Sequence, residues 1–119
     1  MIIDAPINNL SLGNVSLNII RELIRREHPI SGIFPVGDNA DFSAYDKLDP
    51  DVRTEIIDLA MNRLKNFNRN DPTFRLWHIM GAEKKLSDNQ YLFSFYECDS
   101  PTIEEIRILQ AQTHTFFSC

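Results

Sequence analysis

The chain reads as a Rossmann-like α/β domain, a mainly parallel sheet with helices on both faces. Three observations predict this. Strand-like apolar segments alternate with segments of helical period along the whole sequence. Tyr91–Tyr96 is an aromatic and aliphatic run that stops abruptly at Glu97 and Asp99. Ser100-Pro101 then supplies an N-cap and a first-turn proline for a helix. Strands joined through helices imply right-handed crossovers and parallel pairing. Acids are costly in a core, so Glu97 and Asp99 belong where the strand leaves the sheet, the end at which open α/β sheets bind ligands.

Met1-Ile2-Ile3 predicts a short opening strand, and Asn8–Asn14 a polar turn containing Gly13. From Val15 to Arg26, Leu17, Ile20, Leu23 and Ile24 recur at helical spacing, with Arg21, Glu22 and Arg25 opposite. His28-Pro29 ends that helix, because a residue before proline is pushed out of the α region. Ile30–Val36 predicts a second strand and Gly37–Leu48 a loop rich in Asp and Asn. Asp49-Pro50-Asp51 combines a cap, a first-turn proline and an acid at a helix start, and Val52, Ile56, Leu59, Ala60 and Leu64 form the apolar stripe that follows. Phe74–Ile79 and Tyr91–Tyr96 are the third and fourth strands, separated by the charged connection Gly81–Gln90. A last helix runs from Ser100 to about Gln112 with Ile103, Ile106, Leu109 and Gln110 along one side, and Thr115–Ser118 begins a fifth strand.

At 119 residues the chain is one domain, and 43% hydrophobic with 24% charged residues is the composition of a globular chain, not a disordered one. A net charge of −5 argues against nucleic acid as partner, since phosphate binding calls for a basic face. Cys98 and Cys119 have neither CxxC nor metal-ligand spacing and read as reduced thiols. No apolar run approaches the ~20 residues of a membrane span, and nothing resembles a leader peptide, so the expected location is cytoplasmic. The chain stops inside an apolar strand, which suggests a fragment of a longer protein.

Gly13 lies between the first strand and the first helix, where doubly wound folds hold phosphates, but neither G-x-G-x-x-G nor a P-loop is present. A simple turn residue is the competing reading. His78 near the end of the third strand suits acid–base work or hydrogen bonding to a polar ligand, against a plain structural role. Glu97 and Asp99 alternate and so point to one side of an extended chain, free to bind sugar hydroxyls or a metal, or to cap the following helix. His28 and His114 read as structural. Lys84-Lys85 and Arg21-Arg25-Arg26 read as solvated faces. No metal cluster and no nucleophile elbow is written in the sequence.

Four segments carry a resemblance: Asn8–Asn18 with its glycine, Leu76-Trp77-His78-Ile79-Met80-Gly81, Phe95-Tyr96-Glu97-Cys98-Asp99-Ser100-Pro101-Thr102, and Thr113–Ser118. Their order resembles the N-terminal half of a GT-B glycosyltransferase of the retaining group 1 kind. Cys119 stands where a second serine is common, and the C-terminal domain is missing. The resemblance implies that residues 1–119 form an acceptor-side domain, completed by an absent donor-binding domain and inactive without it. It implies a nucleotide-sugar donor and a glycan or other hydroxyl acceptor, with no cofactor and no metal. Gly13 and Asn14 would then lie near the donor diphosphate, and His78, Glu97 and Asp99 would line the acceptor side. Two rivals remain. One is a stand-alone flavodoxin-like module binding a small ligand or protein. The other is a phosphoacceptor receiver domain, for which neither Asp4 nor Asp99 has evident partners in the sequence.

Overall fold

The computed structural model describes residues 1–95 and 100–118. Among these residues the chain forms β1 (Ile2–Ile7), α1 (Ser11–Arg25), β2 (Gly32–Ala40), a 3-10 helix (Ser43–Lys47), α2 (Pro50–Met61), β3 (Thr73–Leu76), β4 (Gln90–Phe95), α3 (Ile103–Gln110) and β5 (His114–Ser118). The strands make one sheet in the order β2-β1-β3-β4-β5, and every neighbouring pair is parallel. The expected α/β architecture is therefore present. Its strand order is that of flavodoxin-like doubly wound sheets, whose crevice opens between β1 and β3.

Central β1 divides the core by the alternation of its side chains. Ile3, Ala5 and Ile7 face one way and pack with Ile20 of α1 and with Ile56 and Ala60 of α2. Asp4 faces the other way, in register with Arg75 of β3, which in turn pairs with Leu92 of β4. Leu92 clusters with Ile108 of α3 and with Ile79 and Ala82 of the β3–β4 connection. Helices thus cover both faces. α2 packs on the edge strand β2, and the chain beyond it wraps to the Asp4 face. There the Arg63 guanidinium lies 5.8 Å from the Phe34 ring centroid and Phe67 meets Phe34 edge-on. The chain passes close to Gly32 at this crossing, where a Cβ would crowd Arg63 at 3.3 Å.

The connection between β3 and β4 contains no helix, yet it is tied down. Gln90, wholly buried, donates from Nε2 to the Ala82 carbonyl (2.8 Å) and to Gln112 Oε1 (2.9 Å). The hydroxyls of Thr73 and Ser87 are bonded to each other in the interior. Lys85, expected on a solvated face, reaches the Ala111 carbonyl at the end of α3. On the Ile3 side the sheet continues into an aromatic row of Phe74, Tyr91, Phe93, Phe95 and Phe116, and Phe116 on the edge strand is 47% exposed.

Several boundaries differ from the sequence expectations, each for a local reason. β1 extends to Ile7 because Asp4 finds a counter-ion and Pro6 lies within an irregularity of pairing. α1 begins at Ser11 rather than Val15, since the Leu10 carbonyl already accepts from Asn14 N–H (2.9 Å), which places Gly13 and Asn14 inside the helix and not in a turn. β2 does not end at Val36. Ala5 pairs with Pro35 and Ile7 with Ala40, so the intervening residues bulge out, with Gly37 and Asp38 in the left-handed region at φ 77° and 58°. The Asp49 cap of α2 is found, its carboxylate accepting from Asp51 N–H (3.1 Å), but the helix ends at Met61 and leaves Leu64 exposed. Ser100 does not cap the last helix. Thr102 does, in a reciprocal capping box with Glu105. Starting there, α3 turns Ile108 inward and leaves Ile103 70% exposed.

α1 ends in a Schellman motif: Glu27 N–H donates to the Ile24 carbonyl (2.9 Å) and His28 N–H to that of Leu23 (2.9 Å). Glu27 occupies the left-handed position at φ 56°, where a side chain costs about 1–2 kcal/mol and glycine costs nothing comparable. Glu27→Gly is therefore expected to raise stability by about 1 kcal/mol in urea unfolding. An unchanged or lowered midpoint would show that the Glu27 backbone is unstrained.

Candidate functional site

The carboxyl end of the sheet gathers the segments singled out in the sequence. β1 turns at Asn8, whose Oδ1 accepts from Leu10 N–H (2.9 Å), and α1 begins at once. Its N-cap position is Leu10, no side chain caps it, and its first turn carries no acid. Among the described residues the N–H groups of Ser11, Leu12 and Gly13 have no partner, and they bring positive potential beside the central strand. Gly13 is buried in that turn, and a Cβ there would overlap both the carbonyl oxygen and Oδ1 of Asn8, with the carbonyl carbon at 2.8 Å. Its glycine character is thus imposed by close helix–turn packing. Asn14 is exposed one position on, its own N–H spent on the Leu10 carbonyl.

His78 emerges just beyond β3, exposed and set edge-on to Trp77 with ring centroids 4.8 Å apart. β3 is bonded to β1 in parallel, so His78 and the start of α1 follow adjacent strands at the same end of the sheet. Glu97 and Asp99 lie outside the described residues, as do Cys98 and Cys119. In sequence Glu97 and Asp99 follow Phe95, the last described residue of β4.

A second group was not anticipated from the sequence. Asp4 and Arg75 form a buried ion pair across β1 and β3, through Arg75 Nη1 and Asp4 Oδ2, with the residues 5% and 8% exposed. They border a cleft of about 390 Å³ that is also lined by Phe34, Asp38, Gly81 and Lys84. The bulge in β2 brings Asp38 to this rim. Gly81, at φ 97°, lies over the guanidinium, since a Cβ there would stand 3.3 Å from Arg75 Nη2. The Arg75 Nε is buried and takes no hydrogen bond among the described residues. A faint signal for the pair existed in the sequence. Each is a lone charge, of opposite sign, inside a short apolar strand.

Burial pushes the Asp4 carboxyl above its ordinary value of 3.8; the Arg75 charge and hydrogen bond pull it down without prevailing, and the charge of Asp38 adds to the rise. A carboxyl raised by folding contributes stability below its unfolded pKa and loses it as pH climbs through the folded value. Asp4 therefore works against the fold above about pH 3.8, and Arg75 limits that cost. Among the described residues no group of three His, Cys, Asp or Glu side chains could hold a metal ion, and no helix is long and apolar enough to cross a membrane.

Two expectations follow. Arg75→Met strands the Asp4 charge, so urea unfolding near neutral pH should show a loss of about 3–5 kcal/mol, much of it recovered at mildly acid pH where Asp4 takes up a proton. A loss independent of pH would assign the effect to packing. Gly13→Ala should cost about 1–3 kcal/mol despite alanine's better helix propensity, because the new methyl meets the Asn8 backbone. Thermal unfolding of the variant measures this directly.

No protein-family model, no curated protein and no solved structure matches this chain.

Proposed function

We propose that the chain is the acceptor-side domain of a GT-B glycosyltransferase, acting in the cytoplasm with a donor-binding domain to move a sugar from a nucleotide-sugar to a hydroxyl acceptor. One observation supports the reading: the first turn of α1, acid-free and without a side-chain cap among the described residues, follows central strand β1 directly, beside β3, the strand that leads to His78. In the transfer the sugar–phosphate bond breaks, a bond from the acceptor oxygen to the sugar forms, and negative charge grows on the departing diphosphate. Fixed N–H dipoles at Ser11, Leu12 and Gly13 suit that charge because they need no reorganisation as it develops. His78 would orient the acceptor hydroxyl or accept its proton. Glu97 and Asp99, in the segment after β4, would bind other acceptor hydroxyls.

The strand order favours one alternative, a flavodoxin-like module that binds a small ligand in the same crevice without chemistry. A receiver domain is disfavoured. The cleft does bring Asp4, Asp38 and Lys84 together, but the central position on β3 that faces them is Arg75, not an aspartate.

The test is sugar transfer from common nucleotide-sugars to hydroxyl acceptors, by this chain alone and by the polypeptide encoded when its reading frame is followed further. The expected result is inactivity of the 119-residue chain and turnover by the longer protein. In the longer protein His78→Ala should lower kcat/KM about 100-fold or more if it transfers the proton, and Glu97→Gln about 10-fold if it binds the acceptor. A frame lacking a second α/β domain, or a longer protein inert toward every donor, would favour the binding module.

A further inference from the structure

The cleft on the Asp4 face uses none of Gly13, Asn14 or His78, and its chemistry can be read independently of the transferase proposal. Its central feature is a guanidinium satisfied on one side only. Arg75 Nη1 donates to Asp4, while the edge made by Nε and Nη2 carries no hydrogen bond among the described residues. That edge offers two parallel N–H donors, the fork that matches a carboxylate or phosphate. The Nε is buried, and leaving a buried donor unpaired is costly, so something polar belongs beside it.

The surroundings narrow the ligand. Lys84 lines the cleft and enters no ion pair among the described residues, so a second cation faces the same space. Asp38, in the β2 bulge and with a left-handed backbone, lines the same cleft as an acceptor. A bare inorganic anion would use the two cations and meet Asp38 as a like charge. A ligand whose anionic group is joined to a hydroxylated body would use both, with its oxyanion at Arg75 and Lys84 and a hydroxyl donating to Asp38. The cleft's volume of about 390 Å³ is adequate for a pentose or hexose bearing one such group. Gly81 leaves the approach to Arg75 open where any side chain would intrude.

We propose that this cleft is a binding site for a small hydroxyl-bearing oxyanion of the sugar-phosphate or sugar-acid class. Ribose 5-phosphate is the probe, with ribose and inorganic phosphate as controls, titrated into the 119-residue chain and followed by backbone amide shifts. Saturable shifts are expected at Gly37, Asp38, Gly81 and Lys84, tighter for ribose 5-phosphate than for either control. Lys84→Ala, an exposed position, should weaken the probe about 5- to 10-fold. Arg75→Lys keeps a cation for Asp4 but removes the fork, and should weaken it about 10-fold or more in a chain still folded by circular dichroism. Asp38→Asn should weaken ribose 5-phosphate and leave inorganic phosphate no weaker. No saturable shift into the tens of millimolar, or equal affinity of wild type and Lys84→Ala, would overturn the proposal. Ribose binding as tightly as its phosphate would refute the oxyanion, and phosphate binding as tightly as the ester would refute the hydroxylated body. The transferase reading survives any of these outcomes, because it rests on the opposite side of the switch point.

Discussion

The pairing of Asp4 with Arg75 constrains the rest of the structure. Both residues sit in register on adjacent central strands, where a parallel sheet ordinarily presents only aliphatic side chains to its covering layer. Two charges withdrawn from water at the middle of a sheet are tolerable only if they hold each other, so the β1/β3 register cannot slip by a residue without separating them. The covering layer must also accommodate them. On this face Arg75 meets Gly81, which belongs to the helix-free β3–β4 connection, a loop anchored by Gln90 and by the Thr73–Ser87 hydroxyl pair. A helix brings a continuous stripe of side chains, whereas a loop can part around a polar centre and leave a cleft.

The opposite face shows what the sheet does without such a charge. Ile3, Ala5 and Ile7 meet Ile20, Ile56 and Ala60 in an unbroken aliphatic cluster, and that side contributes most of the buried apolar surface. The division of labour is physical. One face stabilises the domain, and its stability allows the other face to hold an ion pair whose desolvation is only partly offset. The bulge in β2 belongs to the same arrangement, because it bends the edge strand toward the Asp4 face and presents Asp38.

Much of this was legible in the residues. The alternation of periods located the five strands and three α-helices, though it read the end of β2 and the 3-10 helix as loop, and Asp49-Pro50-Asp51 marked a helix start that the structure reproduces. The last helix was misread because Ser100-Pro101 imitates a cap, although Thr102-Ile103-Glu104-Glu105 spells the capping box that forms. Of the expected stripe Leu109 packs against the core, while Ile103 is exposed and Ile108, outside that stripe, is the buried residue. Gly13 was read as a residue of the turn before the first helix, whereas it lies inside the first turn of α1, and the cause of its being glycine, the Asn8 backbone, is a distance that cannot be read from spacing. Arg75 and Asp4 were illegible as partners because pairing across a parallel sheet leaves no local signature. A β-hairpin would have set the two charges a few residues apart, where cross-strand patterns can be seen.

The all-parallel order has a kinetic consequence. Asp4 and Arg75 are separated by 71 positions, and no two neighbouring strands are joined by a hairpin. The central strand is the first to leave the ribosome, and one of its two flanking strands is made only after the chain has passed residue 72. Until then Ile2, Ile3 and Ile7 have half a sheet at most to bury against. Contacts of such high order must be closed at full loop entropy before they return any energy, so folding begins with the local helices and waits for topology. The arrangement that brings two distant charges together at the switch point thus also makes this a slow-folding domain, exposed to aggregation through its apolar first strand while synthesis proceeds.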